Sequence, residues 1–234
     1  MKIVILTGAG ISAESGIDTF RAKDGLWEQY RIEDVATPEA FARNPDLVHG
    51  FYNMRRAALK TVAPNPAHFA LAELEAALES CGGTLTLVTQ NVDDLHARAG
   101  SKNLIHMHGR LGSHLCSACR KRWPSMEDTS TVSVCPKCNT KGTPRPDIVW
   151  FGEMPYAMNT IEDALNACDL FVSIGTSGAV YPAAGFVQMA RASRKHTLEI
   201  NLEPSAGSPM FDQCRHGKAG TLVPIWTQEI IDAL

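Results

Sequence analysis

Short apolar runs separated by polar, turn-rich stretches organise the chain, and most are too brief and too β-branched for helices. Lys2-Ile3-Val4-Ile5-Leu6-Thr7 is the first, and comparable runs recur at 84–88, 104–107, 170–174, 197–201 and 221–225. Continuous aliphatic runs of this length suit strands buried on both faces, as in a parallel sheet. Between them the period becomes helical. Asn65-Pro66 reads as a cap and first turn; Ala70, Leu71, Leu74, Ala77 and Leu78 then form one stripe, which Gly82-Gly83 ends. Segments 161–167 and 183–191 read as further helices, and within 26–59 Thr37-Pro38 and Asn44-Pro45 mark the starts of short ones. Strands alternating with helices predict an α/β fold, a Rossmann-like doubly wound parallel sheet.

Segment 112–143 breaks the alternation. It carries Cys116-x2-Cys119 and Cys135-x2-Cys138 with 15 residues between the pairs, a spacing that predicts a zinc ribbon. Disulfides or a redox pair are the alternatives, and they suit a reducing cytosol poorly. Four thiolates fill a tetrahedral shell, so such a zinc is structural. Cys81, Cys168 and Cys214 lack this spacing and read as small buried apolar residues. Arg120, Lys121, Arg122, Lys137 and Lys141 crowd the cysteines and offset their charge; a nucleic-acid-binding ribbon is the other reading.

With 234 residues, 44% hydrophobic and 20% charged, the chain has room for one full domain and a small module. The net charge of −3 and pI near 6.2 argue against nucleic acid or an anionic membrane as the main partner. No apolar run spans a bilayer, and Met1-Lys2-Ile3-Val4 enters the first strand at once. No signal or transit segment is expected, and a cytoplasmic protein is.

The candidate chemistry gathers where strands end. After the first strand, Gly8-Ala9-Gly10 with Ser12, Ala13 and Glu14 has the form of a dinucleotide loop; the glycines admit close backbone approach, and Ala13 is expected to let the next helix pack closely. Asp18, Thr19, Phe20 and Arg21 then replace the aliphatics of an ordinary Rossmann helix, which suits a loop that closes over a ligand. Gln90, Asn91, Val92, Asp93 and Asp94 follow the second strand; they suit ribose and carboxamide recognition, or else Asp93 or Asp94 caps a helix. His106 and His108 are expected on one face of a strand, with Gly109 behind them, and His108 suits a general base. Gly175-Thr176-Ser177-Gly178 and Asn201-Leu202-Glu203 are weaker phosphate and ribose candidates, since turns use these residues anyway.

Together these segments, in this order and over nearly the whole chain, resemble the sirtuin family of NAD-dependent protein deacylases. Phe51-Tyr52-Asn53-Met54-Arg55-Arg56 is similar to the small bacterial and mitochondrial group that accepts acidic acyl groups. The resemblance implies that NAD is consumed: the acyl-lysine carbonyl oxygen attacks the nicotinamide ribose, nicotinamide leaves, and O-acyl-ADP-ribose forms. It makes His108 and Asn91 catalytic, and assigns NAD to Gly8, Ala9, Gly10, Ser12, Ala13, Glu14, Asp18, Phe20, Arg21, Trp27, Gln90, Asn91, Val92, Asp93, Gly175, Thr176, Ser177, Asn201, Leu202, Glu203 and Ala219. Phe20 would shield the reactive ribose carbon from water. Tyr52 and Arg55, three apart on a helix, would hold the carboxylate of succinyl- or malonyl-lysine; alternatively they are a packed ring and a solvated cation. Val149, Phe151 and Gly152 would pair with the substrate peptide as an added strand.

The implied division is 1–29, 80–111 and 145–234 for the NAD-binding domain, 30–79 for a helical insertion and 112–144 for the zinc ribbon. Acylated lysines of proteins are the expected partners, with no nucleic acid or membrane, and a monomer is expected. A Rossmann dehydrogenase is the enzymatic rival, but Glu28, about 20 residues past the glycines, has no strand before it to present it. A non-catalytic binding module on the zinc ribbon is the other.

Overall fold

The computed structural model describes residues 1–17 and 30–234. In chain order its elements are β1 (Lys2–Thr7), α1 (Ala9–Ser12), α2 (Ile32–Val35), α3 (Pro38–Arg43), α4 (Pro45–Ala58), α5 (Pro66–Ser80), β2 (Thr84–Thr89), α6 (Leu95–Ala99) and β3 (Leu104–His106), followed by β4 (Gly109–Cys116), β5 (Arg122–Pro124), β6 (Pro144–Ile148), α7 (Met158–Ala167), β7 (Leu170–Ile174), α8 (Phe186–Ala192), β8 (His196–Asn201), β9 (Gln213–His216) and α9 (Ala219–Ile231). Short 3-10 turns follow α1 and precede α8.

One sheet has the order β3-β2-β1-β7-β8-β9, with every pairing parallel. Alternation along β1 sends Ile3 and Ile5 to one core with α5 and α9, and Val4 and Leu6 to another with α7 and α8. Burial on both faces explains why the sequence shows continuous aliphatic runs. The chain builds β2 and β3 on one side of β1 and returns with β7 on the other. The β1/β7 boundary is therefore the switch point, outside whose carboxyl ends ligands bind in such sheets. The caps form as the prolines indicate: Thr37, Asn44 and Asn65 accept backbone N–H bonds at the starts of α3, α4 and α5.

Four expectations change. Of the three cysteines outside the paired motif only Cys168 is buried; Cys81, just past the end of α5, and Cys214, on the edge strand β9, are exposed. Segment 221–225 lies inside α9, where Ala219, Val223 and Trp226 are buried at helical spacing; the edge strand is the polar β9. Ala13 is exposed in a 3-10 turn, because α1 stops after four residues, so it packs no helix closely. β3 ends at His106, and Met107 and His108 form a turn, so the two histidines do not share a strand face.

The cysteine segment forms an antiparallel sheet, β5-β4-β6, on which α2, α3 and α4 pack through Val35, Phe51, Leu111, Ile148 and Trp150. A polar hub ties α4 to the cysteine loop. Asn53 exchanges bonds with the Thr129 backbone at 2.9 and 3.1 Å, and His49 Nδ1 pairs with Thr129 Oγ1 at 2.8 Å. Arg56, fully buried, donates to the Leu111 carbonyl at 2.9 Å and to Asn53 at 2.9 Å.

Candidate active site

Three strand ends and one helix meet at the switch point. The turn after β1 and the turn after β7 interlock backbone to backbone: Gly10 donates to the Gly175 carbonyl at 2.9 Å, and Gly8 to Ile174 at 3.0 Å. A Cβ on Gly10 would stand 2.7 Å from the Gly175 Cα, and one on Gly175, at φ +63°, 2.5 Å from the Ile11 nitrogen. Only glycine fits either position.

Behind this pair runs a buried polar network. Asn91 Nδ2 donates to the Gly8 carbonyl and to Ser12 Oγ, both at 3.1 Å. Ser12 donates onward to Asp93 Oδ2 at 3.0 Å, while Asp93 Oδ1 accepts the Leu95 N–H at 3.1 Å. Asp93 thus holds the backbone where α6 begins, whose cap position is Asp94, and reaches back to Ser12 beside the glycine loop. Burial raises its carboxyl above the usual range, and the bonds from Leu95 and Ser12 oppose the shift. Ala9, Ser12, Ile17, Asn91, Val92 and Asp93 line a small open cleft, and Arg55 of α4 completes its wall.

Arg55 is half-buried, and burial pulls its guanidinium downward while Tyr52 and Asp93 oppose. Its guanidinium carbon stands 5.6 Å from the Phe51 ring centre. Tyr52 is buried; its hydroxyl accepts the Trp150 indole N–H at 3.0 Å, and burial pushes it up to about 12. Trp150 belongs to the 149–153 turn, whose backbone is tied by Val149 N–H to the His108 carbonyl (2.9 Å) and Phe151 N–H to Ala36 (3.0 Å). Phe151 and Gly152 are exposed.

His108 sits where the chain leaves the large sheet for the small one. Gly109 makes that corner at φ +79°, and a Cβ there would stand 2.0 Å from the Asp147 carbonyl. The His108 Nδ1 lies 3.2 Å from the Gln90 carbonyl. A carbonyl only accepts, so Nδ1 carries the proton and Nε2 keeps its lone pair. Burial lowers the ring's affinity for a second proton. The result is a neutral imidazole with a fixed tautomer, the form a general base needs.

The turn after β7 continues with Thr176, which is buried, pairs its hydroxyl with Ser173 at 2.9 Å and accepts Asn201 Nδ2 on its carbonyl at 2.8 Å. Leu202 and Glu203 are exposed beside it, Ala219 is buried at the start of α9, and Glu14 accepts the Gly220 N–H at 3.3 Å. Asp18, Phe20, Arg21 and Trp27 lie outside the described residues.

The four cysteine sulfurs lie within 4.8 Å of one another, with Cys116–Cys138 and Cys119–Cys135 both 3.7 Å apart. Zn–S bonds near 2.3 Å give a tetrahedron with edges of about 3.8 Å. The residues fit one structural zinc.

The Sir2 family profile matches residues 8–182. This chain belongs to the Sir2 family. Full-length relatives include the NAD-dependent protein deacylases of Caulobacter vibrioides, 56% identical over 234 residues (100% of this chain, 98% of the relative), and Bdellovibrio bacteriovorus, 58% over 233 (99% and 97%). A Sir2 homologue solved with NAD superposes with a TM-score of 0.88 at 39% identity, covering 99% of this chain and 90% of that one. A Sir2 complex with p53 peptide and NAD+ gives 0.79 at 29%, covering 99% and 92%.

In this Sir2 chain the site also rests on residues outside the strand-end motifs. Asn65 caps α5 and also donates to the Ile11 carbonyl at 2.7 Å. His68 stands 3.5 Å from Ser12 and 4.8 Å, ring to ring, from His96, which bonds Thr7 at 3.0 Å. Burial holds His68 at about 4 and His96 well below its ordinary value, so both are neutral spacers. The Asn65-Pro66 signal marked the cap; nothing in the sequence pattern marked the histidines.

Proposed function

We propose that this chain is an NAD-dependent protein-lysine deacylase that removes acetyl and also succinyl and malonyl groups. The observation that carries the reading is the cleft itself, where Ser12, Asn91 and Asp93 from the dinucleotide side meet Arg55 from the helical side. The names of the relatives and the peptide and NAD complexes of the neighbours support it.

When bound, NAD supplies the acyl acceptor: nicotinamide leaves and the acyl group passes to ADP-ribose. Gly8, Ala9, Gly10, Ser12, Ala13 and Glu14 would hold its pyrophosphate side. Gly175, Thr176, Ser177, Asn201, Leu202, Glu203 and Ala219 would hold the adenosine side. Gln90, Asn91, Val92 and Asp93 orient the ribose and carboxamide, with Asn91 and Asp93 kept in place by Ser12 and Gly8. His108 takes a ribose hydroxyl proton on Nε2, its other nitrogen being anchored on Gln90. Asp18, Phe20, Arg21 and Trp27 are assigned to NAD from the sequence pattern alone. Val149, Phe151 and Gly152 would align the peptide; Arg55 and Tyr52 would hold an acyl carboxylate. Segments 30–79 and 112–144 form the cover over the NAD-binding remainder, and a reducing compartment such as the cytoplasm keeps the four thiols available for zinc.

With NAD and a succinyl-lysine peptide, free nicotinamide and deacylated peptide should accumulate in equal amounts and no NADH should form. NADH formation would sink the proposal. His108→Ala should cut turnover by about 10²–10⁴-fold with zinc content and Tm unchanged. A charge-assisted bond contributes about 1.5–3 kcal/mol, so Arg55→Met should cut desuccinylation about tenfold or more and deacetylation far less. Equal losses on succinyl and acetyl peptides would remove Arg55 from the carboxylate.

A further inference from the structure

Glu199, Cys214 and His216 stand together on neighbouring strands at the far edge of the large sheet. β8 and β9 pair with Glu199 opposite Cys214 and Asn201 opposite His216. Cys214 and His216 are two residues apart and share a face. Leu198 and Ile200 point into the α5/α9 core, so Glu199 points to the other face, where Ser205 and Ser208 donate to its carboxylate. A Glu199 oxygen, the Cys214 sulfur and a His216 nitrogen all lie within 4.8 Å of one another.

The environment is unusual for a carboxylate. The Glu199 side chain is 1% exposed, and its one ion-pair contact among the described residues is His216 Nε2 at 3.8 Å. A buried charge held mainly by neutral hydroxyls is costly. The two serines leave part of the carboxylate's accepting capacity unused. Burial and Glu199 itself both push the Cys214 thiol up.

We propose that Glu199, Cys214 and His216 form a second metal site, for one divalent cation of borderline softness, with zinc the best match. One sulfur, one imidazole nitrogen and one carboxylate oxygen are the donors zinc takes, and the exposed side leaves a fourth position for water. Bonds of about 2.0–2.3 Å set tetrahedral donors about 3.4–3.7 Å apart, so atoms now within 4.8 Å of one another would close by up to about an ångström. On binding, the Cys214 sulfur forms the bond as a thiolate and its proton passes to solvent. The ion would brace the turn from Ser205 to Ser208, whose Ala206 N–H bonds the Ser177 carbonyl at 3.3 Å. This site is separate from the four-cysteine centre and does not depend on the proposed reaction.

Zinc per chain is measured by mass spectrometry after equilibrium dialysis of the full-length protein against excess free zinc. The wild type should reach two, while Cys214→Ala and His216→Ala, both at exposed positions, should stop at one. Thermal melts of the variants, each with its single zinc, should match the wild type at one zinc. A wild type that stays at one zinc, or either variant reaching two, overturns the site.

Discussion

At the scale of the residue, His108 shows how a fold prepares a base with no charged partner among the described residues. Its tautomer is set by a main-chain carbonyl, and its neutrality by burial. Because the folded ring is harder to protonate than the free side chain, the neutral form persists as pH falls below 6.5. The acid limb of kcat/KM should therefore have its midpoint below 6.5, and a midpoint above that value would mean another group limits the reaction. The histidine, the glycines and the amide cluster were legible because each sits directly after an apolar run. His68 and His96 were not legible, since a neutral buried histidine leaves no trace in sequence; only its neighbours Ser12 and Thr7 reveal what it supports.

At the scale of the element, helix starts were the most legible features, because proline and its capping neighbour are local chemistry. The α9 segment failed for the opposite reason. Its run Leu222-Val223-Pro224-Ile225 is as β-rich as a strand, and only the burial of Ala219, Val223 and Trp226 against α5 decides for helix. The cap of α5 has two duties, which makes it testable. Asn65→Ala removes the cap and leaves the Ile11 carbonyl without its side-chain donor. Loss of a cap costs about 0.5–2 kcal/mol and an unmet buried group about 1–3 kcal/mol. Urea unfolding should show a drop of about 2–3 kcal/mol, and the KM for NAD should rise because the same bond steadies the glycine loop.

Across the whole molecule, the two sheets are joined by short covalent crossings, while the hub of His49, Asn53, Arg56 and Thr129 ties the helical insertion to the cysteine loop over the small sheet. The sequence marked the zinc module as a separate piece through its cysteine spacing. It could not mark the hub, whose partners are about 80 residues apart and meet only after both pieces fold. Cys135→Ser should release the zinc, and hydrogen exchange should then rise in β4, β5, β6 and α4 while β1 and β7 stay protected. Equal loss of protection in both sheets would show that they fold as one unit.

The interlock of Gly10 with Gly175 has a further consequence for the proposed reaction. The turns that would grip the pyrophosphate and the adenosine of the dinucleotide are spliced through their main chains, so no rotamer change can lengthen or shorten the span between them. The protein thus carries a ruler. Analogues that add or remove one phosphate between the two nucleosides should be refused, however well each half fits alone.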